Sequence, residues 1–97
     1  MYLLEVLSGP LDGKTWSFDQ EIVIGRDDAV ATACLALDRY VSRRHAVVRS
    51  AGDGLMLCDL ESRNGTRLDG IAVHGDVQLA AGTPFVVGRT VLRVTRT

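Results

Sequence analysis

The feature that most restricts the fold of this chain is the regular return of short apolar runs between glycine-containing turns. The runs are rich in valine, isoleucine and leucine, as in Glu21–Gly25 and Leu55–Asp59, and Asp-Gly or Asn-Gly dipeptides occur between runs at residues 12–13, 64–65 and 69–70. Such dipeptides tolerate the positive φ angles that two-residue hairpin turns require. No segment carries a convincing helical repeat. The pattern therefore predicts an all-β domain, either a sandwich or a barrel.

The predicted strands cover most of the chain. In order they are Tyr2–Leu7, Thr15–Phe18, Glu21–Gly25, Cys34–Leu37, His45–Arg49, Leu55–Asp59, the two arms of Arg67–Val73, Val77–Leu79, Phe85–Gly88 and Val91–Arg96. The clearest hairpin turns through Ser50–Gly54, and a second one turns at Asp69-Gly70. The segment 27–33 is predicted to be a loop, because strands lie on both sides of it.

Length and composition restrict the class of protein further. The 97 residues suffice for one domain, 1–97, which we expect to belong to a longer protein. With 46% apolar residues the chain is not disordered, and a net charge of −1 provides no overall basic field for binding nucleic acid. No apolar run is long enough to span a membrane, and the amino terminus lacks the basic start of a signal peptide. We therefore expect a cytoplasmic domain that inserts into no membrane.

The two cysteines give no indication of a metal or cofactor site. Cys34 and Cys58 both lie in apolar runs, without CxxC spacing and without a neighbouring histidine cluster. A disulfide between them stays open, although nothing in the sequence indicates secretion. We expect neither a metal nor another cofactor.

Three polar turns, each next to an apolar run, carry the side chains suited to binding a ligand. They contain Gly25-Arg26, Val41–His45 and Ser62–Thr66. A serine hydroxyl and arginine guanidinium groups suit an anionic oxygen, and an asparagine amide can grip both the N–H and the C=O of an extended peptide. Solvated arginines and an ordinary Asn-Gly turn explain the same residues without any ligand. If the three turns meet at one end of a sandwich, they can hold a phosphate.

Taken together, the three turns resemble the forkhead-associated (FHA) domain family, which binds phosphothreonine peptides. The resemblance lies in Gly25-Arg26, Ser42–Ala46 and Asn64–Thr66, whose order and separations agree with those of the family. With the flanking strands it covers nearly the whole chain. It implies an FHA-type β-sandwich of about eleven short strands in two face-packed sheets, with the binding loops at one end.

The resemblance also implies a role for each matching residue. The residues that would contact a phosphopeptide are Arg26, Ser42, Arg43, Arg63 and Asn64. The residues that would shape the loops are Gly25, His45, Gly65 and Thr66. Arg63 departs from the family, since many members have a small hydroxyl residue there, so its role stays open. The implied ligand is a phosphothreonine in a partner protein or elsewhere in the same chain, placed there by a serine/threonine kinase of the kind found in bacterial signalling.

Two other functions compete with phosphopeptide binding. Ser42, His45 and Asp59 are the residue types of a hydrolase triad, but on an extended chain Ser42 and His45 would stand about 10 Å apart. No nucleophile-elbow sequence accompanies them, so we do not expect an enzyme. An FHA-like scaffold that binds unphosphorylated protein is the stronger alternative. Because Arg26, Ser42 and Asn64 are all retained, the phosphorylation-dependent module is favoured.

Overall fold

The chain folds into eleven strands and no helix. A computed structural model describes residues 1–97. The strands are β1 (Tyr2–Ser8), β2 (Thr15–Phe18), β3 (Glu21–Gly25), β4 (Ala33–Cys34), β5 (Ala46–Ala51), β6 (Gly54–Asp59), β7 (Thr66–Leu68), β8 (Ile71–Ala72), β9 (Asp76–Leu79), β10 (Phe85–Val87) and β11 (Thr90–Arg96). None of these elements is a helix long and apolar enough to cross a membrane. The all-β prediction is confirmed.

The strands form two sheets. One has the order β2-β1-β11-β10-β7-β8, and the other has the order β4-β3-β5-β6-β9. Neighbouring strands are antiparallel except β3 and β4, which are parallel. The sheets pack face to face, and buried residues accordingly alternate with partly buried ones along β1 and β11. The predicted sandwich of two face-packed sheets is therefore confirmed.

The core lies between the two sheets and contains aliphatic side chains from both. Leu4 and Leu92 come from the six-stranded sheet, and Ile24 and Leu57 come from the five-stranded sheet; all four are fully buried. Burial of one such side chain contributes about 1.5–3 kcal/mol to the hydrophobic driving force. The core therefore supplies a rigid base from which the connecting loops project.

The hairpins follow the sequence prediction closely. Strands β5 and β6 extend two residues and one residue further into their turn than expected, so that Gly52, with a φ of 62°, and Asp53 make the connection. The β7–β8 turn lies at Asp69 and Gly70, whose φ angles are 53° and 76°. Two successive positive φ angles characterise the type I′ turn that Asp-Gly favours.

The bounds predicted for the fourth strand are wrong. The strand is Ala33–Cys34 rather than Cys34–Leu37, and it pairs with β3 in parallel. The chain leaves the sheet at Leu35, whose N–H donates to the Gly25 carbonyl at 2.7 Å and whose side chain is fully buried. Leu37 is 65% exposed. The apolar run misleads because only its first half faces the core.

The two ends of the sandwich carry different parts of the chain. Strand β11 runs from Thr90 at one end to Arg96 at the other, a distance of about 20 Å. At the second end Arg96 pairs with Tyr2, and its guanidinium donates to the Asp53 carbonyl in the β5–β6 turn. The chain termini also meet there, because the Thr97 N–H donates to the Met1 carbonyl at 3.2 Å. The loops after β3, before β5 and after β6 lie at the first end.

Candidate functional site

Gly25 brings the first two polar loops into contact. A Cβ added at Gly25 would stand 2.0 Å from the Arg43 carbonyl oxygen and 2.8 Å from its carbonyl carbon. The φ of Gly25 is not in the left-handed region, so this position needs glycine for space rather than for conformation. The backbone of Arg43 thus packs directly on the end of β3.

Hydrogen bonds then hold these two loops together. The Arg26 N–H donates to the Ser42 carbonyl at 3.0 Å, and the Asp27 N–H donates to the Arg43 carbonyl at 3.3 Å. The side chain of Arg26 donates through Nε to the Val41 carbonyl at 2.9 Å. This contact orients the guanidinium and leaves both of its terminal nitrogens without a hydrogen bond. An oriented and exposed guanidinium can form two further bonds to an anion.

Ser42 connects the second loop with the third. Its Oγ accepts a hydrogen bond from the Arg63 N–H at 3.0 Å. The hydroxyl hydrogen of Ser42 is still free to donate, since a serine hydroxyl both donates and accepts. Ser42 is only partly buried, so its hydroxyl is open to an acceptor from solvent or from a ligand.

His45 connects the second and third loops from the interior of the protein and has no exposed surface. Its Nδ1 accepts from the Ser42 N–H at 2.9 Å, and its Nε2 lies 2.9 Å from the Gly65 carbonyl oxygen. Because the first partner is a donor and the second is an acceptor, these contacts match the tautomer that carries a hydrogen on Nε2. His45 therefore orders the loops and makes no contact with the outer surface.

Asp59 shapes the third loop at the end of β6. Its carboxylate accepts from the Ser62 N–H at 3.0 Å, from Ser62 Oγ at 2.6 Å and from Thr66 Oγ1 at 2.7 Å. Desolvation raises the pKa of Asp59, but these hydrogen bonds outweigh it and hold the pKa below its ordinary value. In turn Ser62 Oγ accepts from the Gly65 N–H at 2.9 Å. Sequence reasoning considered Asp59 only as part of a triad and did not anticipate this role.

Asn64 lies at the tip of the third loop, on the outer surface. Its Nδ2 donates to the Tyr40 carbonyl at 2.8 Å. The second Nδ2 hydrogen and the Oδ1 oxygen have no partner in the protein, so the amide can both donate to a ligand and accept from it. Gly65 follows with a φ of 82°, a conformation that glycine adopts without strain.

Two clefts that contain arginines flank these loops. Arg26 and Arg43 line a cleft of about 310 Å³ together with Asp27 and Asp28, so the formal charges of its lining balance. The second cleft, of about 320 Å³, is lined by Tyr40, Asn64, Gly65, Arg67, Val86, Gly88 and Arg89. In this second cleft the Arg89 guanidinium lies 4.2 Å from the centre of the Tyr40 ring. Of the two clefts, the second one, which contains Asn64, has an excess of positive charge.

The structure brings together the loops of all five residues expected to contact the ligand. Arg26, Ser42 and Arg43 are joined through backbone bonds, and Asn64 is tied to the loop that carries Ser42. Arg63 participates through its backbone N–H, while its side chain is exposed and lines neither cleft.

A hydrolase triad is not assembled in this site. The contact between Ser42 and His45 uses the Ser42 backbone N–H, and the Ser42 hydroxyl bonds to the Arg63 backbone instead. Asp59 Oδ1 lies 3.9 Å from His45 Nε2, which already has the Gly65 carbonyl as its partner. A nucleophile must hydrogen-bond its general base through its own hydroxyl.

The two cysteines, Cys34 and Cys58, are free thiols.

Comparison with known proteins identifies relatives of this chain. The family model that describes the cytoplasmic domain of an inner-membrane component of type III secretion systems, itself an FHA-type domain, matches residues 5–97. The FHA domain-containing protein FhaB of Mycobacterium tuberculosis is 35% identical over 92 residues, which are 94% of this chain. The chain spans 58% of the length of FhaB.

Solved structures agree with these sequence relatives. The FHA domain of the CT664 protein from Chlamydia trachomatis has a TM-score of 0.90 and 27% identity, with 99% of this chain and 97% of that chain covered. A second FHA domain, from a study of phosphothreonine-dependent FHA domain interactions, has a TM-score of 0.84 and 32% identity, with 99% and 96% covered. The region aligned with these structures covers nearly the whole chain.

Proposed function

Because the chain belongs to the forkhead-associated domain family, whose members are protein-interaction modules, we propose that it binds a partner protein through a phosphorylated threonine. One observation carries this proposal. The Arg26 guanidinium is oriented by Val41, the Ser42 hydroxyl is free to donate, and the Asn64 amide is exposed, all on loops that are hydrogen-bonded to one another. This is an anion site beside a group that recognises peptide backbone.

The chemistry of a phosphothreonine fits these groups. The phosphate carries about −1.5 to −2 charges at neutral pH and offers three acceptor oxygens. We assign Arg26, Ser42 and Arg43 to the phosphate, and Asn64 to the backbone of the peptide. A hydrogen bond to a charged group contributes about 1.5–3 kcal/mol. Two or three such bonds together contribute about 3–9 kcal/mol, so a peptide without the phosphate should bind far more weakly.

The role of Arg63 follows from its position. Its backbone N–H holds the Ser42 hydroxyl oxygen, and its side chain extends into solvent. We propose that the side chain adds long-range attraction for the phosphate without a fixed contact. Such attraction is screened by salt, whereas the contacts of the oriented Arg26 guanidinium are screened less.

The proposal also covers the partner of the protein and the compartment in which it binds. The partner is the substrate of a serine/threonine kinase, either a separate protein or another part of the same polypeptide, and binding takes place in the cytoplasm. The module performs no chemistry on the phosphate, because the Ser42 hydroxyl faces no general base. The result of binding is an assembly of the module with its partner that phosphorylation regulates.

Two point variants test the phosphate site. Arg26→Ala and Ser42→Ala should each abolish binding to a phosphothreonine peptide, measured by isothermal titration calorimetry, while the circular dichroism spectrum stays that of the folded domain. Arg96→Ala and Ser17→Ala are matched controls, since both residues are exposed and Arg96 lies at the opposite end of the sandwich. Wild-type affinity in either site variant would refute the assignment. A phosphoserine peptide in the same assay measures the preference for threonine.

A phosphorylation-independent scaffold is the second candidate. The match of residues 5–97 favours it, because that family is described as the cytoplasmic domain of a secretion-system component and not by phosphopeptide binding. Capture experiments with paired phosphorylated and unphosphorylated partners separate the two functions. Equal capture of both forms supports the scaffold, and capture of the phosphorylated form alone supports the phosphothreonine module.

A further inference from the structure

Asp38 is a buried carboxylate next to the proposed site. Only 3% of its surface is exposed, and neither oxygen lacks a partner. Oδ1 accepts from the Tyr40 N–H at 3.0 Å, while Oδ2 accepts from the Arg89 N–H at 2.8 Å and from Thr90 Oγ1 at 2.7 Å. A buried charge is tolerated when several donors surround it, as they do here.

The partners of Asp38 lead directly to Asn64. Tyr40 donates its N–H to Asp38, and its carbonyl accepts from Asn64 Nδ2 at 2.8 Å. We infer that Asp38 is a positioning residue for the ligand site, which acts on the peptide through Tyr40 and Asn64 without touching it. The inference rests on the proposed function for its ligand, although its structural part can be tested on the free protein.

Asp38 also connects the two sheets at the site end. Arg89 lies in the β10–β11 turn and Thr90 begins β11 of the six-stranded sheet, whereas Asp38 follows β4 of the five-stranded sheet. A Cβ added at Gly88 would stand 3.0 Å from Asp38 Oδ2 and 2.7 Å from a Val41 methyl carbon, so the turn packs tightly on this carboxylate. The loop that carries Ser42 is thus packed against the β10–β11 turn.

Removal of the carboxylate should weaken binding through Asn64. We expect Asp38→Ala to lower the affinity for a phosphothreonine peptide about tenfold, since the Tyr40 turn loses its acceptor and the Asn64 amide loses its fixed partner. In an Asn64→Ala background the same change should cost no more than about twofold, because the group through which Asp38 acts is gone. Equal losses in the two backgrounds, or wild-type affinity in a folded Asp38→Ala variant, overturn the inference.

Two matched variants separate positioning from stability. Asp38→Asn keeps an oxygen for the Tyr40 N–H and can donate to Thr90 Oγ1, so we expect affinity within about threefold of wild type although stability falls. Thr90→Val removes one bond from the same carboxylate but leaves the Tyr40 contact, so it too should bind within about twofold. If Thr90→Val weakens binding as much as Asp38→Ala, the effect is general destabilisation and the inference fails.

Further measurements decide the outcome when Asp38→Ala does not fold or when no phosphopeptide binds. Tyr40→Pro deletes the N–H that reaches Asp38, and Tyr40→Ala is its control because both variants lose the ring. We expect about fivefold weaker binding for the proline variant; equal affinities overturn the inference.

If wild type binds no phosphopeptide, the proposed function fails. In that case the NMR signals of the Asn64 amide still test the positioning, because they should shift in Asp38→Ala or Tyr40→Pro and stay in place in Thr90→Val.

Discussion

The close approach at Gly25 gives the sharpest test of how the site is built. In Gly25→Ala the new methyl carbon would stand 2.0 Å from the Arg43 carbonyl oxygen, whereas ordinary contact begins near 3.4 Å. Neither atom is the end of a flexible side chain, so the two backbones must separate by about 1 Å or more. The bonds from the Arg26 and Asp27 N–H groups to the Ser42 and Arg43 carbonyls cross this gap.

The magnitude follows from the contacts that are lost. Overpacking of a tight interior costs about 1–3 kcal/mol, and each of the two backbone hydrogen bonds contributes about 1 kcal/mol. The expected loss in the free energy of unfolding is therefore about 3–5 kcal/mol. A domain of this size has about 5–15 kcal/mol in total, so the variant should fold but melt early. Binding should weaken at least tenfold, because Arg26 and Ser42 move apart.

Urea denaturation followed by fluorescence of the single tryptophan, Trp16, measures the stability, and anisotropy of a labelled phosphothreonine peptide measures the affinity. Gly54→Ala is the matched control, since that glycine lies in β6, has no positive φ and has no atom within 4 Å of the added Cβ. We expect the control to stay within about 1 kcal/mol of wild type. If Gly25→Ala matches the control in both stability and affinity, the packing argument is refuted.

Three further outcomes are expected. Because the pKa of Asp59 is lowered in the folded state, its stabilising contribution is present above about pH 4 and is lost as the pH falls through the lowered value. The urea midpoint of Asp59→Asn should therefore fall less steeply with decreasing pH than that of the wild type. Identical slopes for the two proteins would contradict this expectation. An acidic residue beside the phosphothreonine should strengthen binding by reaching Arg67 or Arg89, and Arg89→Gln should reduce that gain in peptide titrations; an unchanged gain would exclude Arg89. Arg63→Ala should weaken binding only a few-fold, with a smaller salt dependence than wild type, since its backbone bond to Ser42 survives; complete loss of binding would show a direct contact.

The sequence predicts the strands and hairpins well because local signals define them. Alternating apolar residues and Asp-Gly or Asn-Gly turns report directly on the backbone, and the β7–β8 turn appears at the expected dipeptide. The fourth strand is misplaced because Leu35 is buried by a loop rather than by a sheet, and burial in either state calls for the same residue type.

The candidate site, like the fold, is only partly predictable from the sequence. The three polar turns are visible in the sequence, and the structure joins their loops. Asp38 and Asp59 are not recognisable from the sequence as residues that order the site, because an aspartate beside a turn is ordinarily a solvated charge. The partners of Asp38 at Arg89 and Thr90 lie 51 and 52 positions away along the chain. Contacts of this kind become visible only when the sheets are assembled.

The meeting of Met1 and Thr97 at the end remote from the peptide loops has a practical consequence. Their backbones are hydrogen-bonded to each other, about 20 Å from the β10–β11 turn. The domain can therefore be spliced into a surface loop of a host enzyme or fluorescent protein without stretching the host, since entry and exit occupy one point. Under the proposed function, a phosphorylated segment would then bind at the end of the domain that is remote from the junction with the host.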